Sequence, residues 1–160
     1  MKRSLAAFPC GRWYGLILAI GVSLFPAVAR AASVSDELAL VAKINDLRAG
    51  KGLPALQVNE NLLTKARAWS AEMASAGRIW HSTLSDGITA DWTKLGENVG
   101  MGASVDRLHA QFVASAHHYE NLVDPAFSYV GIGVVTNGDT IYVTEEFMQV
   151  MPAGDGRTTG

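Results

Sequence analysis

Between Tyr129 and Phe147 the chain changes period, and that change constrains the fold more than any other stretch. Tyr129-Val130-Gly131-Ile132-Gly133-Val134-Val135 and Thr140-Ile141-Tyr142-Val143-Thr144-Glu145-Glu146-Phe147 are strand-like runs separated by Asn137-Gly138-Asp139. An Asn-Gly pair supplies residues that take positive φ at little cost, as the tight turns between antiparallel strands require. The pattern predicts a β-hairpin at the end of the domain.

Upstream the periodicity is helical. Leu38, Leu40, Val41, Ile44 and Leu47 recur at helical spacing behind Ser35 as the expected N-cap, with Asp36 and Glu37 in the first turn. Gly50-Lys51-Gly52-Leu53-Pro54 stops that helix. A second helix is expected from Asn59 to Ala76 on Leu62, Leu63, Ala66, Trp69 and Met73, closed by Gly77. A third is expected from Ser104 to about His117, with Val105, Leu108, Phe112 and Val113 on one side. Residues His81 to Gly102 have no sustained period and read as a loop, and a loop of that length in a small domain points to function. Helices followed by an antiparallel hairpin make the fold class α+β.

The beginning of the chain has a different character. Lys2, Arg3 and Arg12 precede a nearly continuous apolar run from Trp13 to Phe25, and Ala27-Val28-Ala29 and Ala29-Arg30-Ala31 follow as small-x-small sites. That order predicts a signal peptide over residues 1–31 and a secreted protein, in the extracellular space or the cell envelope (periplasm). The apolar run is shorter than the roughly twenty residues of a membrane span, so no stable membrane insertion is expected after cleavage. Losing Lys2, Arg3, Arg12 and Arg30 leaves nine basic against fifteen acidic side chains, a net charge of −6, which gives no support to nucleic acid as a partner. Cys10 lies ahead of the apolar run, so residues 32–150 are expected to form one disulfide-free domain with a flexible tail at 151–160.

Three motifs carry groups suited to binding a divalent ion or moving a proton near neutral pH: Trp80-His81-Ser82, Gly96-Glu97-Asn98-Val99 and Ser115-Ala116-His117-His118. His81 and His118 are 37 residues apart, so spacing permits a shared site without establishing one. Capping or packing is the plainer role for each histidine taken alone. Ser82 and Asn98 have an equally plain reading as turn residues that satisfy backbone groups. Alternation places Glu145 on one face with Ile141, Val143 and Phe147, where a carboxylate needs a partner, either a basic group or a cleft histidine. Trp80 and Trp92 flank the polar stretch as packing residues or as walls of an aromatic groove, and His109 reads as a structural or surface residue.

Taken in order, several motifs resemble the CAP superfamily, in its compact bacterial, cysteine-poor form. They are Lys43-Ile44-Asn45-Asp46-Leu47-Arg48-Ala49-Gly50, Leu53-Pro54-Ala55-Leu56, Leu63-Thr64-Lys65-Ala66-Arg67-Ala68-Trp69, His81-Ser82, Gly96-Glu97-Asn98-Val99, and Ser115 with His118 and Asn121-Leu122. That superfamily comprises the cysteine-rich secretory proteins, antigen 5 and pathogenesis-related 1 proteins. The resemblance covers about Leu38 to Met148. It implies an α-β-α sandwich, with a small antiparallel sheet between helical layers and an open central cleft (an SCP domain). In that cleft the family places two histidines and two acidic residues, and some members bind zinc or another divalent ion. By this resemblance His81, Glu97 and His118 form the metal set, with Ser82, Asn98 and Ser115 as further cleft residues, and strand alternation adds Glu145 as another candidate. Ser115 stands where many eukaryotic members carry the fourth, acidic group. Adjacent helical residues point about 100° apart, and register favours His118 over His117 for the cleft.

The resemblance implies a secreted, non-enzymatic binding module for a small apolar ligand, lipid or protein partner, with zinc or another divalent cation as the expected cofactor. The alternative is a metal-dependent hydrolase in which His81 and His118 hold the ion and Glu97 is the general base. Two protein ligands are one fewer than catalytic zinc usually has, and no mature cysteine or Gly-x-Ser-x-Gly supplies a nucleophile.

Overall fold

The computed structural model describes residues 30–31 and 34–151. The predicted leader up to residue 29 and the tail from 152 lie outside the described residues. The elements run β1 (Arg30–Ala31), α1 (Val34–Ala49), β2 (Gln57–Val58), α2 (Glu60–Ala76), β3 (Trp92–Gly102), α3 (Val105–Ala114), α4 (Ala116–Val123), β4 (Tyr129–Asn137) and β5 (Thr140–Val150).

The hairpin forms as its sequence predicts. β4 and β5 pair antiparallel from Tyr129 opposite Met148 to Asn137 opposite Thr140, and Gly138 takes the turn at φ 60°. β3 then pairs antiparallel with the other side of β5, giving the order β1-β4-β5-β3. The short β2 lies parallel to β4, so the sheet is mixed, although its three long strands are antiparallel.

Strand alternation sends the two sides of this sheet to different layers. Val130, Ile132, Val134, Val143 and Phe147 pack with Leu40, Ile44, Leu108, Phe112 and Leu122 from α1, α3 and α4. Val135, Tyr142 and Val99 pack on the opposite side with Met73 and Ala74 of α2. The result is the expected α-β-α sandwich.

Three local expectations change. The helix α1 begins at Val34, which puts Ser35 inside its first turn. Its buried stripe is Glu37, Leu40, Ile44 and Arg48, while Leu38 stays 57% exposed. Asn59 and Gly77 bound α2 as expected: the Asn59 side chain accepts from the backbone of Asn61 and Leu62, and Gly77 takes φ 66°.

The third helix stops three residues early. Ser115 is extended (φ −98°, ψ 121°), and α4 starts behind it as a separate helix, so the continuous helix expected to His117 is broken. The aperiodic stretch also resolves differently. Its second half, Trp92–Gly102, is an eleven-residue strand. The glycines that disguised it are packing residues. A Cβ at Gly96 would lie 2.8 Å from Asn121 Oδ1 and from Phe127, and one at Gly100 would lie 2.8 Å from Phe112. The helices press closely on β3 at these points, so the residue type that reads as a strand breaker is required.

Candidate functional site

The loop after α2 delivers His81 and Ser82 to the α2 side of β3, where Glu97 points by alternation. Glu97 is 1% exposed in its side chain, and its Oε1 lies 2.7 Å from His81 Nδ1 and accepts from the Ser82 backbone N–H at 2.9 Å. A carboxylate on Nδ1 favours the Nδ1–H tautomer and leaves Nε2 with a free lone pair. The His81 ring is 64% exposed, so that nitrogen belongs to the accessible part of the site. Glu97, which the resemblance puts in the metal set, meets His81 here as an orienting partner of the imidazole.

Two residues assigned no role from sequence complete this side. Glu146 is the register partner of Glu97 across β3 and β5. Lys65 from α2 donates to Glu146 Oε1 at 2.6 Å and to Ser82 Oγ at 2.7 Å. Burial is the largest influence on Glu146 and pushes its pKa up to about 8, with the Glu97 carboxylate adding to the rise and Lys65 opposing it. Lys65, Glu146, Glu97 and His81 form one continuous polar chain from beneath α2 to the surface. Alternation along β5 was the available signal: it puts Glu146 opposite in facing to Glu145, on the side that α2 covers.

Asn98 and Glu145 face the other way, towards α4. Asn98 Nδ2 donates to Glu145 Oε2 at 3.0 Å and to the His118 carbonyl at 3.2 Å, and Asn98 Oδ1 accepts from Asn121 Nδ2 at 2.9 Å. Asn98 is therefore a bridge between the sheet and α4, and turn chemistry does not describe it. Glu145 is wholly buried. The basic group or cleft histidine expected beside it is absent, Asn98 takes that place, and Oε1 has no hydrogen-bond partner among the described residues. The sheet itself separates this carboxylate from Glu97.

Burial pushes the Glu145 pKa up to about 7, opposed by the Asn98 hydrogen bond. The folded state then keeps a proton that the unfolded state releases at the ordinary value near 4.5, so stability falls as pH rises between those values. Glu145→Gln mimics the neutral acid. Its stability relative to the parent is expected to grow by about 3 kcal/mol between pH 4.5 and pH 8. Urea unfolding at both pH values checks this; parallel pH profiles for the two proteins would refute it.

His118 stands in the first turn of α4, against the open edge of β3. Its Nδ1 lies 2.8 Å from Ser115 Oγ, and its ring is 4.8 Å from that of Phe112. Ser115 occupies the N-cap position of α4 but makes no side-chain cap bond, its hydroxyl being turned to His118. The pKa of His118 lies below the ordinary value, first by burial and then by the charges of His81 and His117. His117 is exposed, as expected.

Beside His118 and Ser115 a cleft of about 350 Å³ crosses the edge of β3, walled by Ile79, Val99, Met101, Leu108 and Phe112. Neither tryptophan of the proposed aromatic groove lines it. Trp80 packs edge-to-face on Trp69, whose indole N–H donates to the Trp80 carbonyl, and Trp92 lies at the start of β3.

Residues 41–150 match the family model described as CAP, the cysteine-rich secretory protein family. The protein YkwD of Bacillus subtilis is 29% identical over 111 residues, which cover 64% of this chain and 43% of YkwD. The chain thus spans less than half the length of that curated relative. An outer surface protein of Borrelia burgdorferi superposes with a TM-score of 0.68 at 16% identity, over 78% of this chain and all of the other. A Bacillus anthracis extracellular protein containing an SCP domain gives a TM-score of 0.62 at 21% identity, over 72% of this chain and 40% of that one.

Proposed function

This chain belongs to the CAP family of cysteine-rich secretory proteins, and on that premise we propose that it is a secreted, non-enzymatic binding module. Its ligand is a small apolar molecule or lipid that carries one polar group. The cleft beside His118 supports this reading: aliphatic and aromatic side chains wall it, and Ser115 and His118 supply a polar corner. Ile79 and Met101 are 41% and 43% exposed at that cleft, available to an incoming apolar chain. Secretion is supported by the leader-like order of residues 1–31 and by the extracellular and outer-surface descriptions of the structural neighbours.

His81 and His118 are the two donors proposed for a divalent cation. His81 and His118 each engage Nδ1 with a neighbour, Glu97 or Ser115, and each keeps Nε2 for a metal, a pattern in which the outer partner orients the ligand. Among the described residues no set of three His, Cys, Asp or Glu side chains is arranged to hold an ion, so water would complete the coordination. Bound there, a cation would supply a positive anchor for the ligand's polar group. The hydrolase reading gains nothing from this geometry, since the Glu97 carboxylate is committed to His81 and the Ser82 N–H.

Titration of the purified protein with a fluorescent fatty acid tests the proposal. Saturable binding is expected, weakened about tenfold or more by Met101→Asp, which puts a charge into an apolar wall. Zinc is expected to bind at one site that His81→Ala and His118→Ala each abolish. Fatty-acid binding that ignores Met101→Asp would overturn the cleft as the site. Zinc binding that survives both histidine variants would remove the two-imidazole anchor.

A further inference from the structure

On the α2 side of the sheet lies a second cavity of about 500 Å³, between α2 and the loop from Ser82 to Gly87, with no lining residue in common with the apolar cleft. We propose that it is a separate binding site for a small neutral saccharide, set by the hydroxyl, carboxylate and aromatic groups that converge on it.

The floor is the buried Lys65–Ser82 pair. Lys65 is 9% exposed in its side chain and spends two of its three N–H bonds on Ser82 Oγ and Glu146. One N–H remains. Ser82 Oγ accepts from Lys65, so its own hydroxyl hydrogen is free to donate. Thr64 Oγ1 donates to the Glu60 carbonyl and keeps its lone pairs for a ligand. The exposed carboxylates of Glu72 and Asp86 add acceptors at the rim, and Trp69 contributes an aromatic surface.

The charge distribution selects the ligand class. The ammonium of Lys65 is matched by the adjoining Glu97 and Glu146 pair, which carries a negative charge even with Glu146 protonated, so the floor exerts little pull on an anion. Two unmatched rim carboxylates repel one further. A ligand here meets donors and acceptors side by side, which suits hydroxyl groups because each can do both. The aromatic surface accepts the C–H face of a sugar ring. The volume falls within the range of small-molecule sites. This site shares no ligand with the apolar cleft and stands or falls separately from it.

The test is titration of the purified protein with glucose, cellobiose and N,N′-diacetylchitobiose, followed through the indole N–H resonance of Trp69. At least one is expected to bind saturably, with a dissociation constant of about 1 mM or tighter. Glu72→Gln combined with Asp86→Asn, both on the surface, is expected to weaken it about tenfold. The same double variant should leave fatty-acid binding unchanged. The proposal is overturned if none of the three sugars saturates, or if the double variant binds sugar as tightly as the parent. Preferential binding of spermidine would reassign the cavity to cations, and preferential binding of glucuronate would reassign it to anions.

Discussion

Gly133→Ala is expected to destabilise the protein by at least about 3 kcal/mol, with Gly131→Ala close behind. A Cβ at Gly133 would stand 2.2 Å from the Ala66 carbonyl oxygen and 2.4 Å from the Arg67 nitrogen. At Gly131 it would stand 2.2 Å from the Leu62 carbonyl carbon. These are backbone atoms inside α2, so no side chain can rotate away. The helix would have to rise from the sheet by more than about 1 Å to restore ordinary contact. That movement would strain the Ser70 hydroxyl, which bridges the Gly133 carbonyl and Thr144 Oγ1, each at 2.9 Å. It would also loosen Leu62, Ala66 and Met73, all fully buried. Alanine in a strand regains roughly 0.5–1 kcal/mol over glycine through chain entropy, too little to offset the clash. Denaturant unfolding of both variants measures the loss. A Gly133→Ala protein as stable as its parent would show that α2 floats on the sheet.

Arg48→Met should cost about 3–5 kcal/mol for a different reason. Arg48 has no exposed surface, and its guanidinium donates to four backbone carbonyls. Nε reaches Pro54 at 2.9 Å, Nη1 reaches Leu122 at 3.1 Å and Asp124 at 2.9 Å, and Nη2 reaches Phe127 at 3.3 Å. One side chain thus ties the turn after α1 to the end of α4 and to the approach to β4. The Leu122 carbonyl lies in the last turn of α4, where the helix dipole also favours a cation. Methionine can fill part of the space but leaves those acceptors without their donor. Arg48→Lys is expected to fall between the two, because an ammonium has three donors and no planar fork. A measured loss below about 1 kcal/mol for Arg48→Met would mean that water replaces the guanidinium at little cost.

Arg48 also illustrates what a linear reading captures. It appears in the first family-like motif, and the stripe containing Leu40 and Ile44 marks its helix. Nothing in that spacing announces that the last turn buries a charge, because three of the four carbonyls that compensate it come from residues more than seventy positions away. Glu146 behaves likewise. Its carboxylate is placed by β5, yet its partners come from α2 and β3. Ser115 is the converse case: its extended conformation divides the third helix from the fourth, and no local signal separates it from the helical stretch around it.

The sequence by itself determined the hairpin, the bounds of α2, the α+β class and the family. Turn chemistry and periodicity act over a few residues, so they can be read from neighbours. Tertiary structure alone decided that Trp92–Gly102 is a strand and that its glycines are contact points for Asn121, Phe127 and Phe112. It also divided the polar residues between two faces, with Glu97 and Glu146 under α2 and Asn98 and Glu145 towards α4. A strand's two faces alternate with every residue, so one step along β3 or β5 moves a side chain to the other layer. Only the register of β3 on β5, set by packing on both sides, shows which carboxylates meet and which the sheet keeps apart.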